Sequence, residues 1–168
     1  MSSNKTLPTP AEILQRFYDA ETIYMVALPQ KRDFSGMAAT LSPDMKLVQS
    51  PDLLWSGIFH GHAGFQKWSE TMASYFNGLE VTDAQVFEKS GSDSVVIHSV
   101  LKLRIRKNYK RLERPLVQVV KVDRAKGVIV EITPFYWDVK GLNEILLKWM
   151  SSRCHQHWYE GPYLQTIV

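Results

Sequence analysis

Cysteine occurs once in this chain, as Cys154, which excludes an intramolecular disulfide and leaves no thiolate cluster for a structural metal. No stretch approaches the roughly 18 consecutive apolar residues of a membrane-spanning helix. The segment Met1-Ser-Ser-Asn-Lys-Thr-Leu-Pro also lacks an apolar run of signal-peptide length, so a soluble cytoplasmic protein without a membrane partner is expected. Phosphate-binding loops, dinucleotide fingerprints and the elbow motif of serine nucleophiles are missing as well, which makes cofactor-free chemistry the natural reading if the chain is an enzyme. Lys and Arg total 20 against 17 Asp and Glu, too small an excess to argue for a polyanionic partner such as nucleic acid.

What is present suits one domain. With 168 residues and 45% hydrophobic content the chain can bury a single core, expected over residues 9–146 of one domain spanning 1–168, with 147–168 as a C-terminal extension. Thr9-Pro10-Ala11-Glu12 combines a capping box with proline at the first helical position, and Ile13, Leu14, Phe17, Tyr24, Met25 and Leu28 follow at helical spacing. A shorter helix is expected from Asp33, stopped by Ser42-Pro43-Asp44. Two short strands follow, Met45 to Gln49 and Leu53 to Phe59. A third helix opens at Gly61 to Gly64 and carries the stripe Phe65, Trp68, Met72, Tyr75 and Leu79.

After that helix the hydrophobic period changes from 3.6 to 2. Strands are expected near Glu80 to Glu88, Ser94 to Arg106, Glu113 to Asp123 and Gly127 to Trp137, joined by turns of hairpin length that make neighbours antiparallel. On the second of these, Val95, Ile97, Leu101, Leu103 and Ile105 share one face, and His98, Lys102, Arg104 and Arg106 the other. The fold class is therefore α+β, with helices covering one side of a bent antiparallel sheet, and a last helix from Asn143 to Ser152.

The opening helix, Leu41-Ser-Pro-Asp44 before a strand, Gly61-His-Ala-Gly64-Phe65 before the third helix, and Tyr136-Trp137-Asp138 followed by Gly141-Leu142 resemble the SnoaL-like polyketide cyclases of the nuclear-transport-factor-2-like superfamily. The resemblance runs from about Thr9 to Leu146. It implies a cone-shaped α+β barrel with a deep apolar pocket, catalysis by one or two buried acids or bases, and no metal or organic cofactor. Members of similar layout in fungal natural-product pathways isomerise or cyclise reactive intermediates. A small apolar, polycyclic substrate and an isomerisation, cyclisation or dehydration follow from that resemblance. A noncatalytic binding or interaction module of the same fold is the competing class.

Glu131, between Val130 and Ile132 on an apolar strand, is the leading candidate for a general acid or base. A buried carboxylate is costly unless paired, protonated or facing a pocket. A salt bridge to Lys102, Arg104 or Arg111 is the structural alternative. Strand alternation groups Glu131, Thr133, Phe135 and Trp137. Pro134 favours a bulge that would reverse the parity beyond it and bring Asp138 to the same cavity. Asp138 also reads as a helix N-cap. His98 on its strand, Tyr109 in the hairpin and Arg32 in a loop are candidates to steady a developing oxyanion, each with a plain structural alternative. Tyr18, Tyr24, Trp55, Trp68, Phe135 and Trp137 are the expected pocket lining. His60-x-His62 and His155-x-His157 lack a third ligand at metal spacing, so no metal site is expected. The basic run Arg104 to Arg111 reads as a solvated rim. Apolar residues on both faces of Leu116 to Val122 point to a homodimer.

Overall fold

The computed structural model describes residues 6–151, with side chains to Lys148. Cys154, His155 and His157 lie outside the described residues. Helix α1 (Pro10–Val26) starts as its sequence requires. The Thr9 hydroxyl accepts from the Glu12 amide at 3.2 Å while the Glu12 carboxylate accepts from the Thr9 amide at 2.7 Å. Of its expected stripe Ile13, Leu14, Phe17, Tyr24 and Met25 are buried, together with Tyr18, while Leu28 lies beyond the helix end and is exposed.

A single 3-10 turn (Pro29–Lys31) leads to α2 (Ser35–Ala38), which is shorter than expected because strand β1 (Leu41–Gln49) already begins at Leu41. Ser42-Pro43-Asp44 therefore lies inside a strand. It sits where the β1 register slips between Leu41 and Lys46, a place where the missing proline N–H breaks no ladder bond. Only Gly57–His60 forms β2. Leu53 and Trp55 are instead buried anchors of the turn that follows Ser50-Pro51. Helix α3 (Gly61–Tyr75) buries Phe65, Trp68, Met72 and Ala73. It stops before Asn77-Gly78, poor helix formers, so Leu79 belongs to β3 (Phe76–Glu88).

Strands β4 (Ser94–Ile105), β5 (Arg111–Asp123) and β6 (Val128–Tyr136) complete a six-stranded sheet of order β2-β1-β6-β5-β4-β3. All neighbours run antiparallel except β1 and β6, which are parallel, so the expected antiparallel sheet is a mixed one. The sheet is curved and unclosed. Its concave face is packed by α1 against β3 and α3 against β1. Helix α4 (Val139–Ser151) follows β6 directly. No helix among the described residues is long and apolar enough to cross a membrane.

The expected bulge at Pro134 is displaced upstream. Lys121 faces Glu131 and Val122 faces Ile129, which leaves Val130 as the extra residue. Ile129 and Ile132 are both buried as a result. Beyond the slip, Pro134 faces Gln118 in regular register, while the register with β1 runs to Leu47 opposite Ile132.

Thr9→Ala removes the cap acceptor at the start of the helix that carries much of the core. A loss of about 1 kcal/mol of unfolding free energy is expected, measured by denaturant melts with an unchanged slope.

Candidate functional site

The alternation of β6 beyond its slip decides which side chains meet inside the cone. Ile132, Pro134 and Tyr136 turn to the concave side. They join Leu47 and Gln49 of β1, Leu116 and Gln118 of β5, Phe17 and Glu21 of α1, and Phe65 and Trp68 of α3 around an internal cavity of about 30 Å³. A buried water needs roughly 10–15 Å³ by the same measure, so the space admits two or three oxygen-sized groups. The deep pocket for a polycyclic ligand is thus a narrow, mostly apolar chamber with a few polar groups in its wall.

Glu21 is the one carboxyl in its wall. It sits on α1 one turn from Phe17, Tyr18, Tyr24 and Met25 and is 5% exposed. Burial, with no compensating cation, pushes its pKa up to about 8. Its neighbours are phenols and amides. The Tyr18 hydroxyl donates to Gln118 Oε1 at 2.6 Å, tying α1 to β5. Burial raises the Tyr18 pKa above the ordinary phenol value, and the Glu21 charge adds to the rise. Tyr136 is raised likewise, by burial first and then by Glu21. Trp55 and Gln49 approach the Tyr136 hydroxyl closely enough to oppose that rise, yet neither is in hydrogen-bonding geometry.

Buried polar atoms normally find partners, so those that do not are informative. Among the described residues they are both amide atoms of Gln49, the indole N–H of Trp68, the indole N–H of Trp55 and Nε of Arg32. Gln49 and Trp68 line the chamber, and Trp55 packs edge-on against the Tyr136 ring at 6.0 Å. Gln49 and Trp68 therefore bring unspent donors and one acceptor to the wall that Glu21 shares.

The candidates drawn from the sequence are dispersed. Glu131 is not buried in the core. On the convex side of β6, with 27% of its side chain exposed, it pairs with Lys121 at 3.3 Å and Lys46 at 3.8 Å, rather than with Lys102, Arg104 or Arg111. The slip at Val130 sets this orientation. Asp138 accepts from the Gly141 amide at 2.8 Å at the start of α4 and lies 3.6 Å from Arg114, a helix cap with a surface ion pair. His98 is exposed on the convex face between Gln85 and Val117. Tyr109 is exposed in the β4–β5 hairpin at φ +58°. Arg32 donates to the Ala73 carbonyl at 3.2 Å and lies over the Tyr24 ring, where it caps the end of α3.

Of the expected lining, Trp68 is in the chamber wall, and Tyr18 and Trp55 brace Gln118 and Tyr136. Tyr24 packs edge-on against Phe34. Phe135 and Trp137 point outward, Trp137 being 81% exposed, because they share the parity of Glu131. His60 caps nothing with its side chain, and His62 bonds the Leu41 carbonyl. No metal-binding cluster occurs among the described residues.

Glu21, Gln49, Gln118 and Tyr136 escaped the sequence reading. Glu21 did leave a signal: it is a lone carboxylate within the apolar stripe of α1, at i+4 from Phe17 and i−4 from Met25.

No family model and no curated protein matches the chain at the level of sequence. Solved structures match its fold. TerC, co-crystallised with polyporic acid, superposes with a TM-score of 0.65 at 16% identity, over 82% of this chain and 97% of its own. The chain has the NTF2-like fold. An NTF2-like protein of unknown function from Burkholderia pseudomallei aligns at TM-score 0.62 and 15% identity, over 79% of this chain and 94% of its own. A protein from Xanthomonas campestris provisionally described as a polyketide cyclase aligns at 0.60 and 17%, over 84% and 93%.

Because Glu21 titrates at about 8 in the folded chain against an ordinary value of 4.5, the folded state holds a proton that the unfolded state has lost between those two values. Its contribution to stability is complete below about 4.5 and falls as pH rises through about 8. The slope per pH unit approaches about 1.4 kcal/mol for one group. Melts of the wild type from pH 5 to 8 should show this decline, and Glu21→Gln should abolish most of it.

Proposed function

We propose that the chamber is a cofactor-independent acid–base site, and that the protein is an isomerase or cyclase acting on an apolar, oxygen-bearing substrate. The observation that carries this reading is Glu21, a buried carboxyl with its pKa pushed up to about 8, lining one chamber with unpaired hydrogen-bond donors of Gln49 and Trp68. At pH 7 about a tenth of such a group is ionised, so it can take a proton from carbon as carboxylate and return it elsewhere as acid. Removing a proton beside a carbonyl places charge on the carbonyl oxygen. The indole N–H of Trp68 and the amide N–H of Gln49 are free to donate to that oxygen, and Tyr136 stands beside them. No bond to a metal or cofactor enters these steps.

Drug-sized ligands fill pockets of roughly 300–1,000 Å³, so the chamber receives only the reacting end of a polycyclic molecule unless its apolar wall moves. Fold neighbours described as polyketide cyclases and as ketosteroid isomerase-like support an intermediate of secondary metabolism as substrate. The same small volume favours a second reading, a noncatalytic module whose core is filled by its own aromatics.

The two readings separate on proton exchange. Deuterium uptake by a panel of enolisable apolar ketones, followed by NMR with the full chain, should be catalysed by the wild type. Glu21→Gln should lower that rate about a hundredfold or more while keeping the fold, whereas Glu131→Gln should change it less than threefold. No catalysed exchange with any member would favour the noncatalytic module, and equal loss in both variants would overturn the assignment of the acid–base role to Glu21.

A homodimer through the convex face belongs to the same proposal. Phe87, Val96, Phe135 and Trp137 are exposed there, and Val117 and Val119 lie between them in register. Sheet faces this apolar are seldom left to water. Light scattering at micromolar concentration should return twice the chain mass, and Phe135→Glu should return the mass of one chain.

A further inference from the structure

The basic run that spans the β4–β5 hairpin has no part in the chamber, and its charges fall into cross-strand rows. In one row Lys102 stands between Glu80 of β3 and Glu113 of β5, so acids flank the cation on both sides. The next row on the same face is Gly78, Arg104 and Arg111. Two guanidinium-bearing residues are direct cross-strand partners there, an arrangement that destabilises a sheet unless something neutralises it. Among the described residues no carboxylate lies within ion-pair distance of either.

The two rows border a groove of about 270 Å³ that Val26, at the end of α1, also lines. Arg104 is held in place: its Nε donates to the Asn77 side chain at 2.9 Å and its Nη2 to the Asn77 carbonyl at 2.9 Å. Glycine at 78 makes the room for this. A Cβ there would stand 3.2 Å from Arg104 Cβ and 3.5 Å from its Nε. One planar fork is thus pre-positioned with its Nη1 unspent, opposite a second fork that has no partner among the described residues.

We infer that the groove over Arg104 and Arg111 is a binding site for a small oxyanion, a phosphate or carboxylate group carried by a small molecule. Guanidinium forks match the geometry of both groups, and an anion between them converts the repulsion of the row into two charge-assisted contacts. Glu80 and Glu113, which also line the groove, limit the site to a compact anion and disfavour a long polyanion. The apolar patch lies on the same face of β4 as the groove, with Val96 about 20 Å along the strand from Lys102, and Phe135, in register with Val117 and His98, about 13 Å from it.

The test is thermal melting of the full chain in phosphate, acetate and chloride at matched ionic strength, since general screening acts equally in all three. A rise in Tm of about 3 °C or more in saturating phosphate over chloride is expected. A matching rise in acetate would extend the site to carboxylates, and no rise in acetate would assign it to phosphate-bearing molecules. Arg111→Gln should melt at or above the wild type in chloride, because it relieves the like-charge row, and should lose the phosphate shift. Gly78→Ala, which displaces the Arg104 fork without removing a charge, should at least halve that shift. Equal melting in phosphate and chloride would overturn the inference. So would an Arg111→Gln protein that keeps the phosphate shift or melts lower in chloride.

Discussion

The constraint on which this molecule depends is that a six-stranded sheet presents one continuous apolar face, which two helices must cover. Burial of Ile97, Leu101, Leu103 and Ile105 from β4 in the same core as the α1 stripe is the kind of contact that outweighs chain entropy. The curvature lets α1 and α3 meet across the concavity, where the Phe17 and Phe65 rings pack edge to face at 5.8 Å. Inside so complete a cover, any polar group must be paired, neutral or adjacent to a void. Tyr18 and Gln118 satisfy the first condition and Glu21 the other two.

Much of this was legible in the residues. The capping box of α1 and its stripe as far as Met25, the stripe of α3 as far as Met72 and the dry face of β4 each rest on local chemistry repeated over several residues and match the structure, whereas Leu28 falls beyond α1 and Leu79 falls in β3. What could not be read locally was parity. Whether Glu131 or Ile132 faces the core depends on one unpaired residue at Val130, and the bulge signal in the sequence, Pro134, sits four residues away. That displacement carried Glu131, Phe135 and Trp137 to the convex face and brought Pro134 and Tyr136 inward. The parallel pairing of β1 with β6 was illegible for a related reason, since the two strands are far apart in sequence and no turn specifies their direction.

Carboxylates illustrate how little a side chain's own neighbours in sequence decide. Glu131 sits among Val130, Ile132 and Thr133, yet it meets two lysines near solvent. Glu21 sits between Ala20 and Thr22, an unremarkable setting, yet it is one of the least hydrated ionisable groups of the described chain. Its helical neighbours three and four positions away were the better guide, because on a helix those are its spatial neighbours. The sorting of cations follows the same logic. Lysines and arginines that alternate with core residues along β4 are delivered to the opposite face in evenly spaced rows, whatever pairing they then find.

A helix laid across a sheet by apolar contacts alone has freedom to slide along its axis, since dispersion forces are nearly indifferent to small translations. The hydrogen bond from Tyr18 to Gln118 removes that freedom. It couples a residue less than one turn from Glu21 to the middle of β5, so the carboxyl is referenced to the sheet rather than to the loops at either end of α1. Changes of length or sequence at the 3-10 turn or the N-terminal segment can then be absorbed without moving the acid. The phenol–amide contact acts as the datum from which the chamber's dimensions are measured.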